Sequence, residues 1–181
     1  MKNIRLILVL AIVGLVGCSN SPDFKSVVIA QLNFARGSTD KMLDEMEKTG
    51  KADQVLTWRA GPGRAPIGWQ IMHLAATEDR FANKLLHNGT AVSETWIKEF
   101  ESGKPAGDSV PKMAEVRKYL KDTRAALEKS IMDFDLSKLD AKPAAEVPFD
   151  NRRIFQIMLW HEPHHQGQAL ATFNLYKAGH H

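Results

Sequence analysis

The residues of this chain that are best suited to chemistry form a histidine-rich segment near its C-terminus. Three of the seven histidines, His161, His164 and His165, lie within five positions, and the apolar spacing around them indicates a helix. At 3.6 residues per turn His161 and His165 project from one face, so two neutral imidazoles can bind one divalent cation. His164 points about 100° away, and its pairing with His161 in place of His165 is the alternative. Zinc-like ions take at least three protein ligands, so another part of the chain must supply one.

His73, in a second predicted helix, is the candidate for the third ligand. Its row on that helix contains Gln70, Thr77, Arg80 and Lys84, a polar set that faces either bulk water or an open pocket. Periodicity alone therefore leaves His73 open between a metal ligand and a surface residue.

Two carboxylates and a proline lie close to these histidines in sequence. Glu78 falls on the apolar stripe of its helix, where an unpaired carboxylate is costly, so we expect a salt bridge or, alternatively, a ligand's ring N–H as its partner. Glu162 projects about 100° from His161, and we expect it at the surface. Pro163 deprives the Leu159 carbonyl of its helical donor. One interpretation is that the resulting kink orients the imidazoles and frees this carbonyl to accept a hydrogen bond from a ligand histidine's ring N–H. The alternative is a kink without a function.

Four long amphipathic helices are predicted to position these side chains. They run from Phe24 to Lys48, from Pro66 to a stop at Asn88-Gly89, from an N-cap at Ser109 to about Phe134, and from a cap at Asp150 to about Lys177 with a stop at Gly179. A short helix from Ser93 to Glu101 lies in the long connection between the second and third helices, and 136–149 is predicted to be a loop. No segment alternates with period two, so the prediction is an all-α four-helix bundle.

The N-terminus has the pattern of a bacterial lipoprotein signal. Lys2 and Arg5 precede an apolar run over 6–16, and the run is followed by Gly17 and the single cysteine, Cys18. We predict a signal peptide over 1–17, a tether over 18–23 that begins at a lipidated Cys18, and a helical domain over 24–179. An uncleaved membrane anchor is the alternative. The mature domain is therefore expected in the cell envelope, held by its lipid at the periplasmic face and outside the cytoplasm.

Charge and cysteine content exclude several classes of function. Cleavage before Cys18 removes two of the 24 basic residues and none of the 21 acidic ones, so the mature domain is close to neutral. Nucleic-acid binding lacks its usual basic footprint. With one cysteine in the chain, neither a disulfide framework nor a thiolate metal cage can form.

Two segments of the chain carry a family resemblance. Residues 66–81, PIGWQIMHLAATEDRF, and residues 161–168, HEPHHQGQ, resemble the DinB/YfiT-like metalloenzyme superfamily. That family has a four-helix bundle with one histidine from the second helix and a His-x-x-x-His pair from the fourth. The resemblance covers essentially the whole mature domain in helix order and spacing. It implies that His73, His161 and His165 are the metal ligands and that His164 is not one.

The chain departs from the family's pattern in two respects. Gln166 stands where many members carry arginine, which removes a positive charge beside the site. The better-characterised relatives are similar to cytosolic transferases and isomerases that use low-molecular-weight thiols, whereas the signal in this chain predicts a place outside the cytoplasm. Function that is inferred from fold alone is analogy.

The expected function follows from the three imidazoles. They suit zinc, nickel or iron, and an ion with open coordination positions would supply Lewis-acid chemistry near neutral pH. We expect a lipid-anchored metal-binding protein that acts on a small molecule as a transferase or hydrolase; the alternative is a non-enzymatic binding module with a structural metal or a ligand-sequestering pocket. The expected partners are the membrane, through Cys18, and a small molecule, with no nucleic acid; a homodimer is left open. The catalytic residues are not identified at this stage.

Overall fold

The computed structural model of the protein describes residues 23–87, 89–103 and 105–179. The predicted signal peptide and Cys18 lie outside the described residues, so cleavage and lipidation remain predictions from the sequence. Within those ranges the α-helices are α1 Phe24–Lys48, α2 Ala52–Thr57, α3 Ile67–Arg80, α4 Glu94–Glu99, α5 Met113–Asp133 and α6 Asn151–Gly179. A π-helical segment, Phe81–Leu86, continues α3, and a 3-10 turn, Leu136–Lys138, follows α5. The described residues contain no strand, which confirms the all-α prediction.

The four long helices, α1, α3, α5 and α6, form the bundle. Helix α3 packs against α5 and α6, and α1 packs against α6 and α5. Helix α1 has the predicted bounds. Helix α6 begins as predicted, because the Asp150 side chain accepts a hydrogen bond from the Arg153 backbone N–H at 2.8 Å. Helix α6 is continuous through Pro163.

The third long helix, α5, does not begin where the sequence predicted. Its first residue is Met113, so the N-cap predicted at Ser109 is wrong. The Met113 N–H donates to the carboxylate of Asp53 in α2 at 2.8 Å, and the Lys112 N–H donates to Glu115 at 3.1 Å. A cap supplied by a residue of another helix cannot be found in a local sequence window.

Two short elements were not predicted at all. Helix α2 has six residues and the 3-10 turn, which falls within the loop predicted over 136–149, has three. Neither is long enough to give a clear apolar period.

Helix α2 lies close to the start of α3, where a Cβ added at Gly68 would lie 2.3 Å from a Val110 methyl carbon and 3.1 Å from Leu56. A residue without a side chain therefore allows this close approach.

The core consists of two apolar clusters that share the same four helices. One contains Met42, Met46, Ile71, Leu120 and Phe173, and the other contains Leu32, Phe81, Leu127, Ile154 and Met158. On each long helix, buried polar residues lie in sequence between the members of the two clusters. We call seven of these residues the polar waist: Arg36 and Thr39 on α1, Glu78 on α3, Thr123 and Arg124 on α5, and His161 and Glu162 on α6.

None of the helices in the described ranges combines the length and the apolar character needed to cross a bilayer.

Candidate metal centre

Three histidines from two helices come together at one point. His73 lies on α3, and His161 and His165 lie one turn apart on α6; one ring nitrogen from each lies within 4.8 Å of the other two. The Nε2 atoms of His73 and His161 are 3.2 Å apart. Two nitrogens that each lie 2.0–2.1 Å from a tetrahedral ion are roughly 3.3 Å apart, so this spacing fits two ligands of one zinc-like ion.

Hydrogen bonds fix the orientation of two of the rings. His73 Nδ1–H donates to the backbone carbonyl of Phe100 at 2.6 Å, and His165 Nδ1–H donates to Oε1 of Gln168 at 3.1 Å. Because a carbonyl oxygen can only accept, the proton of each ring is on Nδ1 and the lone pair is on Nε2. Outer partners of this kind hold metal-binding histidines in the required tautomer.

The three imidazoles are held neutral. His73 and His161 are buried and His165 is half-buried. Burial lowers the pKa of His73, an effect that the hydrogen bond to Phe100 partly opposes. Burial and the neighbouring imidazoles lower the pKa of His161 to about 3 and that of His165 to about 4. Neutral imidazole is the form that binds a cation, so the donor set fits a divalent ion of the zinc, nickel or iron type.

His164, the alternative ligand, lies outside this group. Its ring is exposed and stacks on Trp160, with ring centroids 4.3 Å apart. Its Nε2 accepts a hydrogen bond from Nε2 of Gln168 at 3.0 Å. His164 contacts His165 edge-on, with ring centroids 4.8 Å apart, and both rings bind the Gln168 amide, but His164 does not belong to the group of possible metal ligands.

The three histidines open onto a pocket of about 660 Å³. Three members of the polar row, His73, Thr77 and Arg80, line this pocket, whereas Gln70 and Lys84 of the same row do not. The Trp69 ring stacks on His73, with centroids 5.3 Å apart and planes 5° from parallel. Trp69 precedes His73 by four residues, which is about one helical turn, so the two rings lie above one another on α3.

The sequence predicted Glu162 at the surface, and this prediction is wrong. The residue is buried in the polar waist, with 3% of its surface exposed. Its carboxylate accepts from Arg36 Nε at 2.8 Å, from the Thr39 hydroxyl at 2.7 Å and from Arg124. The prediction failed because it considered one helix alone: a direction away from the histidines still points into the bundle when α1 and α5 cover that side.

Glu78 has the arginine partners that a buried carboxylate needs. It accepts from Arg36 Nη2 at 2.8 Å and from Arg124 Nε at 3.1 Å, and a salt bridge was the favoured prediction for it. Burial opposes ionisation of Glu78, but the two guanidinium groups lower its pKa. Two arginines and two glutamates thus form a charge-balanced quartet, Arg36–Glu78–Arg124–Glu162, that joins all four long helices.

Asp79 fixes the segment that supplies the Phe100 carbonyl. This carboxylate, fully buried, accepts from the backbone N–H groups of Val92 and Ser93 at 2.8 and 2.9 Å, and from the Tyr119 hydroxyl at 2.8 Å. Ser93 is the N-cap of α4, and Phe100, the partner of His73, is its C-cap. The sequence reasoning missed both Asp79 and Phe100; an aspartate on a buried helix face was the one available signal.

A family model described as the DinB superfamily matches residues 31–169, a range that includes all three histidines of the site. No curated protein and no solved structure matches the chain.

Proposed function

The chain belongs to the DinB superfamily, and from that premise we propose that it is a metalloprotein in which His73, His161 and His165 hold one divalent ion at the base of a small-molecule pocket. The observation that carries the proposal is the convergence of three neutral imidazoles, two of them with fixed tautomers, beside a pocket of about 660 Å³. Zinc, nickel and iron all fit this donor set.

The reaction class that fits best is metal-assisted transfer or hydrolysis. When bound, the ion would supply Lewis-acid activation of a small-molecule group or of water. The protein's own residues have separate tasks: the Phe100 carbonyl and Gln168 orient two of the rings, and Trp69 and Phe100 shield the site from bulk solvent on one side.

A structural metal in a non-enzymatic binding module is the second candidate. Structural zinc sites are closed by four protein ligands, whereas catalytic sites keep a position open. Among the described residues the group of possible metal ligands has three members, His73, His161 and His165, and all three line the pocket. This arrangement favours chemistry over a purely structural role.

The test of the metal site is the metal content of the full-length chain, purified without chelator. We expect about one divalent ion per chain. His161→Ala should lower metal affinity by more than the roughly 10- to 100-fold that loss of an outer partner costs. The matched control is His164→Ala, next to the site but outside the group, which should retain the ion. Absence of stoichiometric metal from the unsubstituted protein would refute the proposal.

The proposed place of the protein is the cell envelope, with the lipid on Cys18. This part of the proposal is supported by the sequence of residues 1–18 alone. Labelled fatty acid fed to producing cells should be incorporated into the chain and lost in Cys18→Ser. Equal labelling of both proteins would contradict the lipid anchor.

A further inference from the structure

We propose that the pocket binds a small molecule with an apolar body and a carboxylate or similar anionic group, which Arg80, two helical turns beyond His73, holds away from the metal site. This inference rests on the proposed function, because it takes the ion at the three histidines as the second anchor of the ligand. It assigns a ligand-binding role to Arg80.

The position of Arg80 relative to the metal site is set by a single rigid element. His73, Thr77 and Arg80 occupy one face of α3, and all three line the pocket. Arg80 follows His73 by seven residues, so at 1.5 Å per residue their backbone positions are about 10 Å apart along the helix axis. A ligand that binds both side chains must therefore be extended rather than compact.

Arg80 has no carboxylate partner among the residues that the structure describes. The neighbouring Asp79 carboxylate is taken by Val92, Ser93 and Tyr119, and Lys84, one turn further on, pairs with Glu94. Among the other described arginines, Arg36, Arg59, Arg117, Arg124 and Arg152 bind carboxylates of the protein, and the two that do not, Arg64 and Arg153, do not line the pocket. A guanidinium binds carboxylate through two parallel hydrogen bonds, so an anionic ligand group supplies what this side chain lacks.

Two glutamates, Glu101 and Glu146, also line the pocket and contribute negative charge to it. Both lie outside the helices, whereas Arg80 is the last residue of α3. A divalent ion on three neutral imidazoles adds two positive charges, which with Arg80 outweigh the two carboxylates. The loaded pocket is thus net positive and favours an anionic ligand.

Most of the other residues that line the pocket are apolar. They include Phe81, Phe100, Phe149, Ile157 and Trp160. Trp160 is 58% exposed and so presents a large aromatic surface beside the pocket. Burial of an apolar ligand body against these side chains would add affinity in proportion to the area covered.

The test uses probes that bind a metal at one end. Suberic acid monohydroxamate carries a metal-binding hydroxamate and a carboxylate separated by six methylene groups, and its amide and amine analogues replace the carboxylate by a neutral or a cationic group. Titration of the zinc-loaded full-length chain should show the carboxylate probe binding at least about tenfold more tightly than the amide. Arg80→Ala should abolish that difference, and Arg80→Lys should retain part of it.

The control variant is Lys84→Ala, which removes a neighbouring cation of the same helix face that does not line the pocket; the tenfold preference should persist in it. Equal binding of the carboxylate and amide probes, or tighter binding of the amine, overturns the role of Arg80 while leaving the metal site intact. Failure of the chain to take up zinc and to bind any of the probes overturns the proposed function and this inference together.

Discussion

Neighbouring residues of α6 serve two different environments. His161 faces the pocket with His73 and His165, whereas Glu162, the next residue, binds Arg36 and Arg124 in the polar waist. An angle of about 100° between successive side chains makes this separation possible on one helix. The candidate metal site and the charge quartet therefore use consecutive residues of α6 but are chemically distinct.

Loss of one member of the quartet should be costly. In Arg124→Met a side chain of similar length keeps the volume but leaves Glu78 and Glu162 with Arg36 as their one remaining arginine partner in the quartet. Removal of one partner from a buried ion network costs about 3–5 kcal/mol, because an uncompensated charge stays buried. Urea unfolding of the metal-free protein should show a decrease of this size in the free energy of unfolding.

Lys129→Ala is the matched control for that experiment. It removes a cation of the same helix whose partner, Asp133, is exposed, so the free energy of unfolding should barely change. Equal effects of the two substitutions would show that the quartet does not stabilise the bundle more than a surface pair does.

At the scale of elements, the segment that contains the short helix α4 is hydrogen-bonded to α3 at two places. Its first end is tied to Asp79 through Val92 and Ser93, and its last end binds His73 through the Phe100 carbonyl. Without packing into the bundle a helix of six residues would not be stable in water, so these tertiary hydrogen bonds determine its position. The orientation of the His73 ring therefore depends on a segment that is remote from it in sequence.

Asp79→Ala should weaken metal binding although Asp79 is not a ligand. The substitution removes the acceptor for Val92 and Ser93, which frees the start of α4 and loosens the Phe100 carbonyl from His73. Loss of an outer-sphere partner costs roughly 10- to 100-fold in metal affinity, and competition with a zinc chelator measures it. Hydrogen exchange of residues 92–100 should increase at the same time.

The control is Asn83→Ala, which removes one donor to the same carboxylate but leaves both backbone contacts of α4 in place. Its metal affinity should stay within a few-fold of the unsubstituted protein. If Asp79→Ala binds zinc as tightly as Asn83→Ala does, α4 has no role in positioning His73.

On the scale of the whole molecule, the bundle has two apolar clusters separated by the polar waist. The site lies where this layer meets the pocket, since His161 belongs to the waist and also lines the pocket. Burial of His161 lowers the pKa of its imidazole, and the two guanidinium groups lower the pKa of Glu78. That arrangement links stability to pH.

The metal-free protein should lose stability as the pH falls below about 6.5. Unfolded histidines bind a proton near pH 6.5, whereas the folded pKa is about 3 for His161 and about 4 for His165. Between those values the unfolded chain holds more protons, so the free energy of unfolding rises with pH, by up to about 1.4 kcal/mol per pH unit for His161 alone. Below about pH 4.5 protonation of Glu78, whose folded pKa is lowered, removes further stability.

Chemical denaturation at a series of pH values measures this slope. His161→Ala should flatten it between about pH 4 and pH 6, and His87→Ala, which removes an exposed histidine away from the pocket, should leave it unchanged. A stability that does not vary with pH over this range would contradict burial of neutral imidazoles in the folded protein.

The sequence by itself determined the helical class, the bounds of α1, the cap of α6 and the pairing of His161 with His165. These features depend on local patterns: apolar residues repeat with the helical period, an aspartate caps the first turn, and two side chains four residues apart share a face. That His73 completes a metal site is implied by the family resemblance and is compatible with the observed geometry. The helical periodicity around His73 alone could not show whether this side chain faces a pocket or bulk solvent.

Only the tertiary structure decided which partners the buried polar groups have. The side of α6 that bears Glu162 became interior because α1 and α5 cover it, and the start of α5 moved to Met113 because Asp53 of α2 binds its N–H. The Phe100 carbonyl reaches His73 because Asp79 holds α4 in place. In each case the deciding contact joins residues that are distant in the chain, and the helical period of one segment carries no information about the segment that packs against it.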